Sequence, residues 1–236
     1  MAQCDDRPVA TLRRRGRPVN SDSAETRNRI LRASRQVINE RGYQAATFQA
    51  IAVAAELSRP TLHYYFSSRL QIYEALVAQA SGLVAELMAK AQRPRTLVGQ
   101  FAALIAAVHE ADARDRSQIA FLVSARLEST RNPELRAYAG FGVRDFLTTL
   151  VEDARARGEL SEDTSVAPVV EMLHAMFLGV GFYAGFIDDA ADVCLVTQQM
   201  DRVVSRGLTA GAQIEEIAPT RRDTTADTPS AVGGQL

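Results

Sequence analysis

The stretch TFQAIAVAAELSRPTLHYYFSSRLQIYEALV, residues 47–77, decides the fold of the N-terminal part of this chain. Its apolar residues recur at the three- and four-residue spacing of amphipathic helices. Thr47 and Ser58 each stand just before such a run, where a hydroxyl can cap the first turn of a helix. Pro60 falls in the first turn of the second run, where a missing N–H removes no helical hydrogen bond. The pattern predicts two short helices joined by a tight turn at AELS, and a long helix from Leu70 onward.

The second short helix is predicted to have one buried and one exposed face. Leu62, Tyr65 and Phe66 point into a core, which leaves the other side chains outside. This outward set consists of Arg59, Pro60, Thr61, His63 and Tyr64. A helix fits the major groove of B-DNA, and its N-terminal side chains meet base edges when a partner helix fixes its angle. The pair therefore predicts a helix-turn-helix, although helix pairs are common and the spacing alone is a weak signal. For His63, a role as an ordinary hydrogen-bonded surface histidine stays open.

A preceding helix completes a three-helix unit. It is predicted to start at Asp22, with Glu25 as a capping-box-like partner, and to stop at Gly42. Its inner face consists of Ile30, Ala33, Ser34, Val37 and Ile38. Beyond the quoted stretch no convincing strand is found, and further helices are predicted at about 70–92, 96–113, 116–130, 133–157, 165–187 and 192–211. The predicted fold class is all-α, with about nine helices.

Charge is divided unevenly along the 236 residues. The net charge is −1, but residues 1–75 hold 12 basic and 7 acidic side chains, whereas residues 76–236 hold 15 basic and 21 acidic ones. This asymmetry predicts an N-terminal part that faces nucleic acid, joined to a body with another task.

The composition also predicts a cytoplasmic protein without a membrane span. Cys4 and Cys194 cannot form a disulfide framework, which fits a reducing compartment. Residues 1–20 lack the continuous apolar core of a signal peptide. The most apolar stretch, roughly 166–187, keeps only 13 uninterrupted residues, 175–187, which is too few to cross a bilayer.

Signals of catalysis or metal binding are weak. The three histidines, His63, His109 and His174, lie 46 and 65 residues apart, and neither a His-x-x-x-His pair nor paired cysteines occur. No Gly-x-Ser-x-Gly, phosphate loop or dinucleotide fingerprint is present. We therefore expect no enzyme activity, no metal and no cofactor.

The quoted stretch resembles the N-terminal DNA-binding domain of the TetR (tetracycline-repressor-like) family of transcriptional regulators. The matching residues are Thr47, Ile51, Ala52, Ala55, Ser58, Thr61, Leu62, Tyr65 and Phe66. The resemblance extends back through the first helix to its Gly42-Tyr43 end. It implies a basic flexible arm (1–20), a helix-turn-helix domain (21–68), a helical ligand-binding and dimerisation domain (69–215) and a disordered tail (216–236).

Five positions depart from the family pattern, and for one of them, Leu70 in place of a frequent Glu, no explanation is found. Glu56 replaces a common turn glycine, so a left-handed backbone there would cost about 1 kcal/mol more than with glycine. Pro60 and His63 replace the more frequent Gly and Tyr, and Arg69 replaces the usual lysine at the start of the long helix. These changes are compatible with the fold, but they mean that the DNA sequence bound by this chain cannot be inferred from other members of the family.

The resemblance also assigns roles in DNA binding. Thr47, Tyr65 and Arg69 would contact phosphates, although pure core packing remains an alternative for Tyr65. The outward set from Arg59 to Tyr64 would lie in the major groove, with Gln49 as an extra reader from the preceding helix. An arginine can bind guanine through two hydrogen bonds, so Arg59 is the expected base-specific contact.

The N-terminal arm has a motif of its own. Arg15, Gly16 and Arg17, followed by Pro18, resemble the core of an AT-hook, in which Arg-Gly-Arg lies along a narrow minor groove. Non-specific attraction to phosphates and an idle tail are the alternatives.

In the family, the last two long helices form a four-helix dimer interface. Here they would present Val169, Val170, Leu173, Phe177, Gly179, Val180, Gly181 and Gly185, and Val193, Leu195, Val196, Met200, Val203 and Val204. An effector pocket would be lined by Phe101, Ile105, His109, Phe121, Phe146, Met176 and Phe177. Ordinary intrachain packing is the alternative for both sets, because an apolar stripe at helical spacing is usually core.

These observations predict a ligand-responsive, sequence-specific transcriptional repressor. It would bind a palindromic double-stranded operator as a homodimer and be released by a small lipophilic or aromatic effector. The alternative is a helical small-molecule-binding or catalytic protein whose N-terminal helices only pack.

Overall fold

The computed structural model describes residues 19–138, 140–187 and 190–209. Eight α-helices make up this part: α1 (Val19–Arg41), α2 (Phe48–Ala54), α3 (Arg59–Tyr65), α4 (Arg69–Ala91), α5 (Leu97–Arg131), α6 (Val143–Ala156), α7 (Val166–Phe186) and α8 (Ala190–Thr209). Short 3-10 turns follow α1 and α5, and no strand occurs in the part described. A non-helical residue, Asp115, divides α5 into two segments, so the prediction of an all-α fold with about nine helices is confirmed. Residues Arg15, Gly16 and Arg17 of the arm, and the tail from 216, lie outside the described residues.

Two predicted helix boundaries are wrong. The predicted helix 133–157 is a 3-10 turn, Pro133–Tyr138, followed by a break and then α6. Phe141 and Gly142 have φ of 37° and 68°, and a left-handed backbone cannot continue a right-handed helix. The first helix begins at Val19, so Asp22 lies inside it and is not its cap.

The described helices form two hydrophobic cores joined by α4 and α5. The smaller core holds α1 to α3 against the start of α4, and Phe121 of α5 reaches into it. The larger core lies between α4, α5, α6 and α7. The inner face predicted for the first helix is buried throughout, from Ile30 to Ile38. The DNA-binding unit, α1 to α3, thus packs directly against the second half of α5.

The structure corrects the predicted dimer face of α7. Val170, Leu173, Phe177 and Val180 are buried in the chain's own larger core. Gly185 approaches α5 so closely that a Cβ added to it would lie 2.6 Å from the Cα of Ala120. Ordinary intrachain packing, the alternative for this face, is therefore what the structure shows.

Two helices, α4 and α7, are long and apolar enough to cross a membrane by length and composition alone. Buried helices of globular proteins pass the same test. Both contribute side chains to the larger core, against α5. This packing accounts for part of their hydropathy, since 39% of the apolar window of α4 and 22% of that of α7 is buried.

Candidate nucleic-acid interface

The turn between α2 and α3 is held by backbone hydrogen bonds. The N–H of Glu56 donates to the carbonyl of Val53 (3.1 Å), and that of Leu57 donates to the carbonyl of Ala52 (2.9 Å). This pair of bonds is the Schellman arrangement, which requires a left-handed residue just past the helix end. Glu56 occupies that position with φ of 53°. The left-handed backbone, for which the sequence analysis gave a cost if it occurred here, is therefore present.

We expect Glu56→Gly to stabilise the protein by about 1 kcal/mol, because glycine adopts a left-handed backbone without the Cβ conflict. Urea denaturation followed by circular dichroism measures the change. Glu56→Ala is the matched control, since it removes the carboxylate but keeps the Cβ, and it should bring no comparable gain. Equal effects of the two substitutions would show that the charge, and not the backbone, matters at this position.

Side-chain caps fix where α2 and α3 begin. The Oγ1 of Thr47 accepts a hydrogen bond from the N–H of Ala50 (3.1 Å), and the Oγ of Ser58 accepts one from the N–H of Thr61 (3.2 Å). Leu62 and Phe66 anchor α3 in the smaller core. Both predicted caps are confirmed, and together with the turn they set the angle of α3 against α2.

The outward face of α3 is largely as predicted. Arg59, Pro60, His63 and Tyr64 are exposed, and 82% of Tyr64 is accessible. Thr61 is half-buried, and its hydroxyl lies 2.7 Å from that of Ser58. The result is a small convex surface that combines a guanidinium, an imidazole and a phenol.

His63 is exposed and stacks on an aromatic ring of the preceding helix. Its ring stacks on Phe48 of α2, with centroids 4.3 Å apart and an interplanar angle of 19°. Gln49, the next residue of α2 after Phe48, is also exposed. The stacking favours one orientation of an imidazole that stays exposed.

The two predicted phosphate ligands near the end of α3 already have partners within the chain. Tyr65 is half-buried and packs edge-to-face on Tyr64, with centroids 5.2 Å apart. The guanidinium of Arg69 lies over the ring of Tyr43 at 4.1 Å, and one of its nitrogens is 3.9 Å from a carboxylate oxygen of Glu134. Arg69 thus braces the first turn of α4 against the end of the DNA-binding unit.

Arg27 was missed by the sequence analysis. This exposed residue of α1 places its guanidinium over the ring of Phe66, 5.0 Å from the centroid. Its polar position in the helical pattern of α1 indicates exposure. Its position at the base of α3 follows only from the tertiary packing.

The seven residues predicted to line a pocket are spread over several environments. Phe101 and Ile105 are buried in the larger core, and Phe146 and Met176 pack against it. Phe121 lies in the smaller core, edge-to-face with Tyr73 at 5.8 Å.

The remaining two are His109 and Phe177, and Phe177 is also buried in the larger core. His109 joins α5 to α8, with its Nε2 2.8 Å from the hydroxyl of Thr197, and burial lowers its pKa. Phe177 lines a cleft of about 290 Å³ between α4, α5, α6 and α7.

That cleft has an apolar floor and a charged rim. The floor includes Val84, Leu122, Phe141, Val143, Phe177 and Leu178. At the rim, Arg144 forms an ion pair with Glu171, and Arg126 lies nearby. Burial, with the charges of Arg126 and Arg144, lowers the pKa of His174, so this imidazole is neutral at pH 7.

A metal site is not found in the described part of the chain, where no three His, Cys, Asp or Glu side chains lie close enough together to bind an ion.

Residues 30–76 match the family model described as "Bacterial regulatory proteins, tetR family". The HTH-type transcriptional regulator UidR of Escherichia coli K12 is 25% identical over 166 residues, which cover 69% of this chain and 83% of UidR. The chain is thus similar to TetR-family regulators, and its residues 30–76 carry the DNA-binding domain of that family. It is a DNA-binding transcriptional regulator with a helix-turn-helix at α2 and α3.

Other relatives agree with the TetR assignment. The HTH-type transcriptional repressor BepR of Brucella suis is 28% identical over 180 residues, covering 69% of this chain and 82% of BepR. The crystal structure of the regulator FadR from Bacillus subtilis, in complex with stearoyl-CoA, superposes with a TM-score of 0.62. That match is 19% identical and covers 79% of this chain and 99% of FadR, so it shows a shared fold.

Proposed function

We propose that this TetR-family regulator is a cytoplasmic repressor that binds a palindromic operator as a homodimer and is released by a small lipophilic or aromatic effector. The observation that supports it most is the exposed face of α3, whose angle is set by two side-chain caps and a hydrogen-bonded turn. Preset geometry of this kind is what readout of base edges requires. BepR, named as a repressor, has a similar sequence.

In the proposed complex, the N-terminal end of α3 enters the major groove. Arg59 would bind guanine, and His63 and Tyr64 would contact neighbouring bases or phosphates. Thr47, which caps α2, and Gln49, on α2, are both exposed and would approach the flanking backbone of the DNA. Arg69 would reach a phosphate only by leaving Tyr43, so we assign it a weaker share of the affinity.

The proposed dimer uses the exposed sides of α7 and α8, and not the buried face of α7. Apolar side chains remain accessible there: Met172, Phe182, Tyr183 and Phe186 on α7, and Leu195 and Val203 on α8. Leu195 is 63% exposed and Val203 57% exposed, and together with the exposed residues of α7 they supply apolar surface of the kind that marks a protein–protein interface.

We expect Leu195→Glu combined with Val203→Glu to convert the dimer to a monomer, because two charges would be buried against a copy of the same surface. Sedimentation velocity at micromolar concentration measures the change. Val53→Glu, at an exposed valine of α2, is the matched control and should leave the dimer intact. A wild-type protein that sediments as a monomer would exclude this interface.

The cleft beside Phe177 is our candidate effector site. Its apolar floor fits a lipophilic or aromatic group, and its volume of about 290 Å³ is at the lower end for small-molecule pockets. Stearoyl-CoA, bound by a protein of the same fold, shows that this architecture accommodates an acyl ligand. An effector can release the operator only if it binds one arrangement of the helices better than the other.

The N-terminal arm is proposed to add minor-groove contacts through Arg15 and Arg17. Deleting residues 1–17, which hold 5 basic and 2 acidic side chains, should weaken operator binding and flatten its dependence on salt, since fewer counterions are released. Gel shifts over a salt series measure both quantities. An unchanged affinity and slope would identify the arm as an idle tail.

The proposed function is tested by selecting genomic fragments with the purified full-length protein and measuring the selected fragments by gel shift. We expect a two-fold symmetric site, bound far more tightly than unrelated DNA at the same salt. Failure to select any specific fragment would favour the alternative, a small-molecule-binding or catalytic protein whose N-terminal helices only pack.

A further inference from the structure

The break inside α5 is built around the carboxylate of Asp115. This residue has φ of −159° and ψ of 87°, and its side chain caps the helical segment that follows. Its Oδ1 accepts hydrogen bonds from the N–H (3.1 Å) and hydroxyl (2.6 Å) of Ser117, and its Oδ2 accepts one from Gln118 (2.9 Å). The break is thus a well-bonded corner.

The same corner binds the DNA-binding unit. Arg35 of α1 is only 5% exposed; its Nη2 donates to the Oδ2 of Asp115 (2.7 Å), and its Nε donates to the hydroxyl of Ser117 (2.9 Å). One turn further along α1, the side-chain amide of Asn39 donates to the backbone carbonyl of Ser117 (2.9 Å). Three hydrogen bonds therefore attach α1 to a stretch of only three residues.

Charge reinforces this attachment. Burial alone would raise the pKa of Asp115, but hydrogen bonds from Ser117 and Gln118 and the charge of Arg35 hold it below its ordinary value. Arginine keeps its proton even when buried, so both partners are charged at neutral pH. The Arg35 side chain is 6% exposed and that of Asp115 35% exposed, so loss of Asp115 would leave a buried guanidinium without its charge partner.

The middle residue of the corner points to α7. The Nε of Arg116 donates to the carbonyl of Gly185 in the last turn of α7 (3.2 Å). One turn beyond the corner, the backbone of Ala120 packs so closely on Gly185 that a Cβ added to the glycine would lie 2.6 Å from the Cα of Ala120. Residues 115–117 therefore connect the end of α7 with the middle of α1.

A second attachment holds the end of α1. Gly42 lies against the carboxylate of Glu128, where a Cβ would be 2.8 Å from Oε1. Glu128 also accepts a hydrogen bond from the amide of Asn132 (2.6 Å), and Asn132 accepts one from Gln44 (2.5 Å). With its end held here, α1 would turn in response to movement at residues 115–117, and α2 and α3 would turn with it because they share its core.

We propose that the corner at residues 115–117 transmits the position of α7 to α3, the helix that would read the operator. Arg35 and Asp115 are then positioning residues for operator binding. This inference rests on the proposed function, because it concerns how the body sets the angle of α3 on DNA. A shift of the end of α7 pulls on Arg116, rotates the corner, and carries α1 with it through Arg35 and Asn39.

The test measures the angle of the DNA-binding unit directly, in the full-length protein without DNA. Spin labels are placed at Val53→Cys on α2 and Glu152→Cys on α6, both exposed positions, after Cys4→Ser and Cys194→Ser. Distances between the labels are measured by pulsed electron resonance in the parent, in Arg35→Gln, in Asp115→Asn and in the double variant. Asp115→Asn keeps an oxygen to cap Ser117 but loses the charge that binds Arg35. Glu110→Gln, which breaks an exposed ion pair with Lys90 inside the body, is the control.

We expect each single variant to shift or broaden the distance distribution and to weaken operator binding by roughly 5- to 50-fold, a usual range for coupling between sites. The double variant should be no worse than the weaker-binding single variant, because both changes break one contact. Glu110→Gln should change neither quantity. Operator binding is measured well below the melting temperature of every variant, so that loss of folded protein does not contribute.

Unchanged distances and affinity in Arg35→Gln and Asp115→Asn, with or without lower thermal stability, would overturn the inference and leave the ion pair a structural contact only. If Arg35→Gln does not fold, Asn39→Ala takes its place with the same expectation. The distance measurement needs no operator, so a chain that binds no specific DNA fails the proposed function, whereas unchanged distances fail the transmission proposal.

Discussion

Replacing Arg59 by alanine is expected to abolish the preference of this regulator for its operator while leaving the fold intact. Arg59 opens α3, is exposed, and makes no hydrogen bond or ion pair within the described part of the chain. Its removal therefore costs little stability. A two-pronged contact from arginine to guanine is worth about 1–3 kcal/mol of discrimination, so one copy contributes roughly a 5- to 150-fold preference, and two copies on a palindrome contribute the product.

The matched variant is Arg59→Lys, which keeps the positive charge but loses the planar fork of the guanidinium. It should retain most of the non-specific affinity and lose most of the discrimination, whereas Arg59→Ala loses part of both. Gel shifts on the selected operator and on scrambled DNA at one salt concentration separate the two effects. An alanine variant that still prefers the operator as strongly as the parent would remove Arg59 from the base-reading set.

Replacing Gly185 by alanine is expected to destabilise the protein by about 3 kcal/mol or more, the upper range for overpacking. The added Cβ would lie 2.6 Å from the Cα and 2.8 Å from the N of Ala120, and backbone atoms of a packed helix cannot move aside as a side-chain tip can. To relieve the contact, α7 must move away from α5.

Gly82 on α4 provides the control. A Cβ added there meets no atom within 4 Å, so Gly82→Ala should be neutral or stabilise the helix by up to about 1 kcal/mol. Chemical denaturation of both variants gives the comparison. Similar stabilities of Gly185→Ala and Gly82→Ala would mean that α5 and α7 do not approach each other as described.

The DNA-binding unit could be predicted from the sequence because its signals are local. Thr47 and Ser58 are helix caps by residue type and position, and the spacing of Leu62 and Phe66 sets the outward face of α3. Even the strained turn at Glu56 could be anticipated, since it stands where the family has a glycine. Each of these inferences needs only the residues within one or two helical turns.

The rest of the candidate site depends on contacts between distant parts of the chain. Arg35 belongs to a helix rich in exposed polar residues, and nothing near it in sequence indicates burial; its partner Asp115 lies 80 residues away. The apolar pattern of α7 predicts that the helix is buried, but it does not identify the element that buries it. In the structure, α5 covers the face that the sequence analysis assigns to a partner subunit. The predicted helix 133–157 failed for a local reason, because Gly140 and Gly142 are a stop signal within it.

The sharing of α4 and α5 by both cores has a consequence for how the molecule denatures. Phe121 of α5 lies in the smaller core while Ile119, two residues away, lies in the larger one, so neither core can melt without exposing the other. Heating should therefore produce one cooperative transition in calorimetry, with equal van't Hoff and calorimetric enthalpies. A small molecule that binds the body would raise the melting temperature of the recognition helix as well. Protection of the backbone amides of α3 from hydrogen exchange would then report ligand binding in the absence of DNA.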